Sequence, residues 1–277
     1  MNDAAHKLNQ TQTWSVLIGA SLMLTMSMGM RQSFGLFVAP ITQDIGVSVA
    51  DFTLALALQN IIWGFTQPLT GAVADKFGVR AITLFGSVLF AAGLAVTMVA
   101  RDTFMLILGM GVLIGLAMSC VSLSLALAAS AKVVSPARRS LTLGAVSSAG
   151  SIGSFLAAPL AQGLIGSQGW QIALVGFLCL CLIMIPGAWF AGAGDKKGPR
   201  PLPGAMDRDA GLSLKAALRE AANHKGFVTM AIAFFVCGLQ LVFITTHLPA
   251  YLALCGQSPQ LSATALATIG VFNAIGC

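Results

Sequence analysis

Eight apolar runs follow one another along this chain, at 15–38, 52–74, 80–100, 104–127, 141–165, 170–191, 227–250 and 262–277. Each has roughly the length, about 20 residues, that a helix needs to cross the hydrocarbon of a bilayer. Inside lipid no water is available to satisfy a backbone N–H or C=O, so such runs must close their hydrogen bonds internally, as helices. The expected fold class is therefore all-α, a polytopic membrane helix bundle. Composition agrees: charged residues make up 9% of the chain, against about a quarter in a soluble domain. The 30 glycines also suit a membrane bundle, where small residues let backbones approach closely. The eighth run stops at Cys277 with no charged flank, so seven complete spans and the beginning of another are expected.

The basic residues orient the bundle. With the N-terminus on the cytoplasmic side, the inner connections hold Lys7, then Lys76 and Arg80, then Lys132, Arg138 and Arg139. The last inner connection holds Lys196, Lys197, Arg200, Arg208, Lys215, Arg219 and Lys225. The outer connections hold Arg101 alone, and Arg31 falls inside the first run. This asymmetry obeys the rule that cationic loops stay in the cytoplasm. It predicts a multi-pass protein of the inner (plasma) membrane with a cytoplasmic N-terminus.

Several function classes are disfavoured. The net charge of +6 is not arranged as a basic face with interleaved aromatics, which argues against nucleic acid. The first run, from Trp14, is too long for a cleavable signal and lacks a convincing cleavage site. No nucleotide loop, HExxH or GxSxG in a strand-to-helix context occurs, so neither an enzyme nor an ATP-driven pump is expected, and no cofactor or metal. The three histidines (His6, His224, His247) are scattered. The six cysteines show no CxxC spacing and read as buried small hydrophobes.

Segment 192–226 divides the chain into three parts. Residues 1–191 form a six-helix transmembrane domain, 192–226 a cytoplasmic linker, and 227–277 the start of a second, incomplete transmembrane domain. The linker opens with Gly and Pro too dense for a continuous helix. From Leu212 to Lys225 it becomes amphipathic, with Leu214, Leu218 and Ala221 on one face and Lys215, Arg219 and Glu220 on another. A short helix on the inner leaflet fits.

Between the second and third runs stand Gly71, Asp75, Gly78 and Arg80, spaced like the GxLaDrxGxR motif of the major facilitator superfamily. Position, orientation and the six-span half all agree, and the chain is identified as resembling that superfamily. Three further segments resemble its oxalate/formate antiporter and monocarboxylate porter branch: Gly29 to Phe37, Gln67 to Gly71, and Phe243 to Tyr251. The resemblance implies a secondary transporter of small organic anions, mono- or dicarboxylates, working by alternating access between two six-span halves. Ending within the eighth run, the chain reads as a truncated form of such a carrier, unable to complete a transport cycle alone. A non-transporting membrane scaffold or receptor on the same fold is the alternative. The resemblance further makes Gly71, Asp75, Gly78 and Arg80 a gating segment, in which Asp75 pairs with Arg80 and faces a helix N-terminus of the other half.

The candidate substrate-contacting residues are Arg31, Asn60, Gln67, Gln240 and His247. A guanidinium inside a span costs several kcal/mol on insertion scales, and its planar fork matches a carboxylate; snorkelling to the outer headgroups is the competing account. Asn60, Trp63 and Gln67 share a face of the second span, where amides either meet substrate or join helices. Gln240, Phe243 and His247 share a face of the seventh, and His247 is either a proton-coupling group or a hydrated end residue. No Asp or Glu falls within a predicted span, which favours exchange of anions over proton coupling. Ala145, Ala149, Gly153, Ala157 and Ala161 form a small-residue stripe on which another helix packs closely, and along which the two halves are expected to slide.

Overall fold

The computed structural model describes residues 10–195 and 214–277, with the backbone alone for 214–218. The described residues are helical almost throughout and contain no strand. Among them seven helical stretches are long and apolar enough to cross a membrane: Gln10–Ile45, Val49–Phe77, Val79–Met98, Thr103–Val133, Pro136–Gln168, Trp170–Gly194 and Lys225–Leu254. The eighth, Pro259–Gly276, is helical over 18 residues.

The boundaries lie where local chemistry puts them. The first span is α1 (Gln10–Gln32), a 3-10 turn (Phe34–Phe37) and α2 (Val38–Ile45). Ser33 Oγ bonds back to the Gly29 carbonyl at 2.9 Å, an i−4 contact that bends helices. α3 (Val49–Phe77) starts with a capping box in which Ser48 and Asp51 satisfy each other's backbone N–H. α4 (Val79–Met98) begins directly after Gly78, whose φ of 92° suits glycine.

The fourth span is not one helix, which the sequence reading did not anticipate. It runs as α5 (Thr103–Leu106), a π-helical stretch (Ile107–Leu113), α6 (Ile114–Cys120) and α7 (Leu123–Val133). The break at Val121–Ser122 is capped by the Ser122 hydroxyl, which accepts the Leu125 N–H. α8 (Arg139–Gln168), α9 (Trp170–Ala191), α10 (Leu214–Asn223), α11 (Lys225–Leu254) and α12 (Pro259–Gly276) complete the chain. The linker's Pro-rich opening and the Leu214/Leu218 face lie outside the described side chains, but α10 itself falls within the expected amphipathic segment.

Glycines set the helix spacing in the bundle. α1 packs against both α8 and α9, with Gly19 on the backbone of Gly187 and Ala191 and Gly29 on the carbonyl of Gly153. α3 and α4 both pack on the fourth span. Lipid offers no hydrophobic drive for this association, so close van der Waals contact holds it. α11 touches the bundle mainly at the 3-10 turn and α12, while α12 lies along α8.

Two expectations need correction. The small-residue stripe of α8 does not face the second half. Gly153 presses on Thr25, and the Thr25 hydroxyl donates to the Ala149 carbonyl at 2.9 Å, so the stripe binds α1 within the same half. The row facing α12 is Gly144, Ser148, Ser151 and Phe155: Ser148 Oγ donates to the Ala274 carbonyl at 3.2 Å, and Gly270 sits on the Ser151–Phe155 backbone. Nor are the cysteines uniformly buried. Cys120 and Cys181 are, whereas Cys179, Cys237, Cys255 and Cys277 are exposed, because outward helix faces in a membrane bundle are themselves apolar.

Candidate functional site

Arg31 occupies the last turn of α1, just before the 3-10 turn redirects the span. Its Nη2 donates to Asn60 Oδ1 at 2.6 Å. Asn60 Nδ2 in turn donates to the Leu56 carbonyl at 2.7 Å, one turn back along α3. That second bond fixes the amide with its oxygen toward the guanidinium. The Trp63 ring centroid lies 4.9 Å from the guanidinium carbon, within cation–π range. Arg31 is thus turned inward, against α3, and does not snorkel.

Among the described residues no carboxylate meets this guanidinium. Asn60 is a neutral acceptor, and Arg31 Nε is buried without a hydrogen-bond partner. Gln59 Nε2 and Trp63 Nε1 are likewise buried and unpartnered. A buried donor without an acceptor is expensive to maintain, and here three belong to neighbouring residues. Arg31 and Gln59 line one cavity with Leu56, Val242, Thr245 and Thr246. Its volume is about 10 Å³, room for a single water at most.

Two larger clefts flank this closed pocket. One of about 390 Å³ shares Gln32 with it and is lined further by Leu123, Ser147, Ser151 and Asn273, toward the end that carries the Arg80 loop. The other, about 190 Å³, shares Gly35 and is lined by Pro40, Gln43 and Gln257 at the opposite end. Between them Gly35 abuts the Thr245 carbonyl so tightly that a Cβ would overlap it, with the Thr246 carbonyl 3.1 Å away. The contact of the 3-10 turn with α11 is therefore the partition on that side.

The sequence-predicted residues divide into those brought to Arg31 and those that are not. Asn60 is. Gln67, two turns along α3, donates to Ser124 Oγ at 2.9 Å beside the break in the fourth span. Thr70 supports the same junction through the Ser119 carbonyl at 3.0 Å. Gln240 is exposed, and half-buried His247 pairs with the Phe243 ring at 5.0 Å between centroids. Neither lines the Arg31 cavity. The face of α11 that does so carries Val242, Thr245 and Thr246, because two residues turn a helix by about 200°. Gln59 is one of the amides of the second span but lies off the face shared by Asn60, Trp63 and Gln67, and nothing in the sequence singles out Thr245 and Thr246. Gln59 neighbours Asn60 on α3, and both line the Arg31 cavity.

In the first turn of α4, Arg80 has partners that the motif did not foretell. Its backbone N–H donates to Asp195 Oδ2 at 2.7 Å, and its Nε to the Trp189 carbonyl at 3.1 Å. Its guanidinium lies 4.3 Å from the Trp189 ring centroid. Asp195 thereby caps α4 from the far end of the half, where Gly78 leaves space for its carboxylate. Gly192 packs on the Arg80 backbone. Asp75 and Gly71 lie on the last turns of α3, Asp75 exposed.

Comparison with known proteins gives the family of the chain. The family model described as Major Facilitator Superfamily matches residues 19–277. Monocarboxylate transporter 13 of Bos taurus is 25% identical over 264 residues, covering 95% of this chain and 59% of the relative. Monocarboxylate transporter 11 of Mus musculus is 29% identical over 173 residues, 62% of this chain and 38% of the relative. The Oxalate:formate antiporter of Oxalobacter formigenes is 35% identical over 80 residues, 29% of this chain and 19% of the relative. The chain thus spans 59% of the length of the bovine relative.

Proposed function

This chain belongs to the Major Facilitator Superfamily, and from that premise we propose that it serves as the N-terminal half, with the start of the second, of a secondary transporter for small organic anions. The proposal rests above all on Arg31: a guanidinium turned into the bundle, oriented by Asn60 and Trp63, with no carboxylate against it among the described residues. The names of the relatives, monocarboxylate and oxalate/formate carriers, point the same way.

The proposed cycle is alternating access. The pocket around Arg31 is too small for a carboxylate while Val242, Thr245 and Thr246 cover it. Withdrawal of α11 from Gly35 joins it to the cleft at Gln43 and Gln257; rocking at the Gln32 side joins it to the cleft at Ser147 and Asn273. A substrate carboxylate supplies a countercharge absent among the described residues and takes up the free edge of the fork. Arg80, Asp195 and Trp189 brace the cytoplasmic end of the half, with Gly71, Asp75 and Gly78 forming the gating segment. Gln67 holds the broken fourth span, and Gln240 and His247 face away from the pocket in the closed state. The basic connections set the N-terminus in the cytoplasm of an inner (plasma) membrane.

Equilibrium binding of labelled formate, lactate and oxalate to the 277-residue chain in lipid nanodiscs tests the central assignment. Losing two hydrogen bonds to a charged group at about 1.5–3 kcal/mol each, Arg31→Ala is expected to weaken whichever anion binds by at least about a hundredfold. Equal affinity in the native chain and Arg31→Ala would remove the assignment.

A further inference from the structure

The fourth span is irregular at two places, and together they frame α6. Residues Ile107–Leu113 are π-helical, and the Ile114 N–H reaches back five residues to the Gly109 carbonyl. Both ends of that widened turn press on one residue of α4: a Cβ on Gly93 would lie 2.9 Å from the Gly109 carbonyl oxygen and 2.6 Å from Ile114 Cγ1. In an α-helix, residues five apart stand about 140° from each other round the axis, so a regular helix would not bring both to Gly93. On the opposite side a Cβ on Gly111 would lie 3.1 Å from the Ala55 carbonyl oxygen, and one on Gly115 would lie 2.9 Å from that of Gln59. The π turn therefore holds one residue in excess, and that residue brings the contacts with α4 and α3 into register. Beyond it α6 (Ile114–Cys120) stops at the break, where the Ser122 hydroxyl caps α7 separately.

From this arrangement we infer that α6 is a rotating segment: relaxation of the π turn to α-helix turns it by one residue and pushes α3, a wall of the Arg31 cavity, away from the fourth span. The exchange leaves the backbone N–H groups bonded, five residues back before it and four after, so lipid does not oppose it. It turns α6 by about 100°, and residue 114 takes the place of residue 115. The branched chain of Ile114 then stands where Gly115 met the Gln59 carbonyl, and two helices in backbone contact must part. Thr70 gives up the Ser119 carbonyl in the same turn. The break at Val121–Ser122 absorbs the rotation, so α7 keeps Ser124 on Gln67. Because Gln59 lines the Arg31 cavity, the movement reaches that pocket from behind. The switch needs no ligand and stands apart from the carrier reading above.

Pulsed electron resonance between spin labels at position 116 on α6 and position 182 on α9 reads the rotation, in the 277-residue chain in lipid nanodiscs with its native cysteines replaced. A turn of about 100° on a Cα radius of about 2.3 Å moves position 116 by about 3.5 Å at the Cα, and further at the nitroxide. Gly115→Ala adds a methyl that meets Gln59 in the seated register only. It is expected to raise the ratio of turned to seated molecules at least about fivefold. Deleting Val112 leaves Gly109 and Ile114 four apart and Gly111 and Gly115 three apart, spacings that a regular α-helix keeps on one face. The deletion chain is expected to fold, to show the seated distance alone, and to abolish the shift caused by Gly115→Ala. Gly163→Ala, with nothing within 4 Å of a Cβ, is the control and should leave the distance as it is. A distance unchanged by Gly115→Ala overturns the switch, whether or not the melting temperature falls, and so does a Gly115→Ala chain that cannot fold. A shift that persists without Val112 overturns the part given to the π turn. Failure of the deletion chain to fold overturns the one-residue excess.

Discussion

Replacing Gly35 with alanine probes the partition between the two clefts at one atom's resolution. The added methyl would penetrate the Thr245 carbonyl and come within 3.1 Å of the Thr246 carbonyl oxygen, both on α11. These are backbone atoms and cannot rotate aside, so the 3-10 turn and α11 must separate. Overpacking of this kind costs about 1–3 kcal/mol. The penalty applies only where the two elements touch; any gain in helical propensity from alanine is common to both states and cancels. At about 1.4 kcal/mol per tenfold, the ratio of separated to closed molecules should rise by roughly 5- to 150-fold. Spin labels at positions 43 and 257, which line the cleft on that side, report the distance by pulsed electron resonance in a cysteine-free background. Gly64→Ala is the control, since nothing lies within 4 Å of a Cβ there. Superimposable distance distributions for Gly35→Ala and the native chain would refute the claim that this contact holds the pocket shut.

Two further outcomes follow from the packing. Asp195→Ala removes the carboxylate that accepts the Arg80 N–H and should destabilise the chain by about 1 kcal/mol, as loss of a helix cap does; an unchanged detergent-melting midpoint would contradict the capping role. Gly153→Leu forces a branched side chain into the Thr25 backbone, so α1 and α8 must part. It should abolish the folded monodisperse species in size-exclusion chromatography, whereas Gly163→Leu, with open space around it, should not.

How much of this was legible in the chain is clearest at individual residues. Arg31 announces itself, because a guanidinium inside an apolar run violates the local solvent and demands a reason. Asn60 and Trp63 follow from their shared face on α3, and both do reach Arg31. Gln67 shares that face yet ends on Ser124, since the fourth span breaks where its own residues carry no helix-breaking proline. Gln240 and His247 stand two residues along α11 from the face that lines the Arg31 cavity, as helical periodicity tells which residues travel together but not which way the face points. Asp195 sat unremarked in a linker, more than a hundred residues from the backbone N–H it caps.

The apolar runs by themselves determined the helical spans and the need for a membrane, though not the breaks within them, because lipid leaves the backbone no other way to satisfy its polar groups. The spacing of Gly71, Asp75, Gly78 and Arg80 determined the kinship. Only the tertiary structure decided that Gln59 joins Arg31, that the α8 stripe grips α1, and that Gly35 meets α11. Periodicity is written along one helix, whereas a site is made where several cross. Those crossings are set by glycines meeting backbone across tens of residues, a relation between distant positions that no local pattern carries.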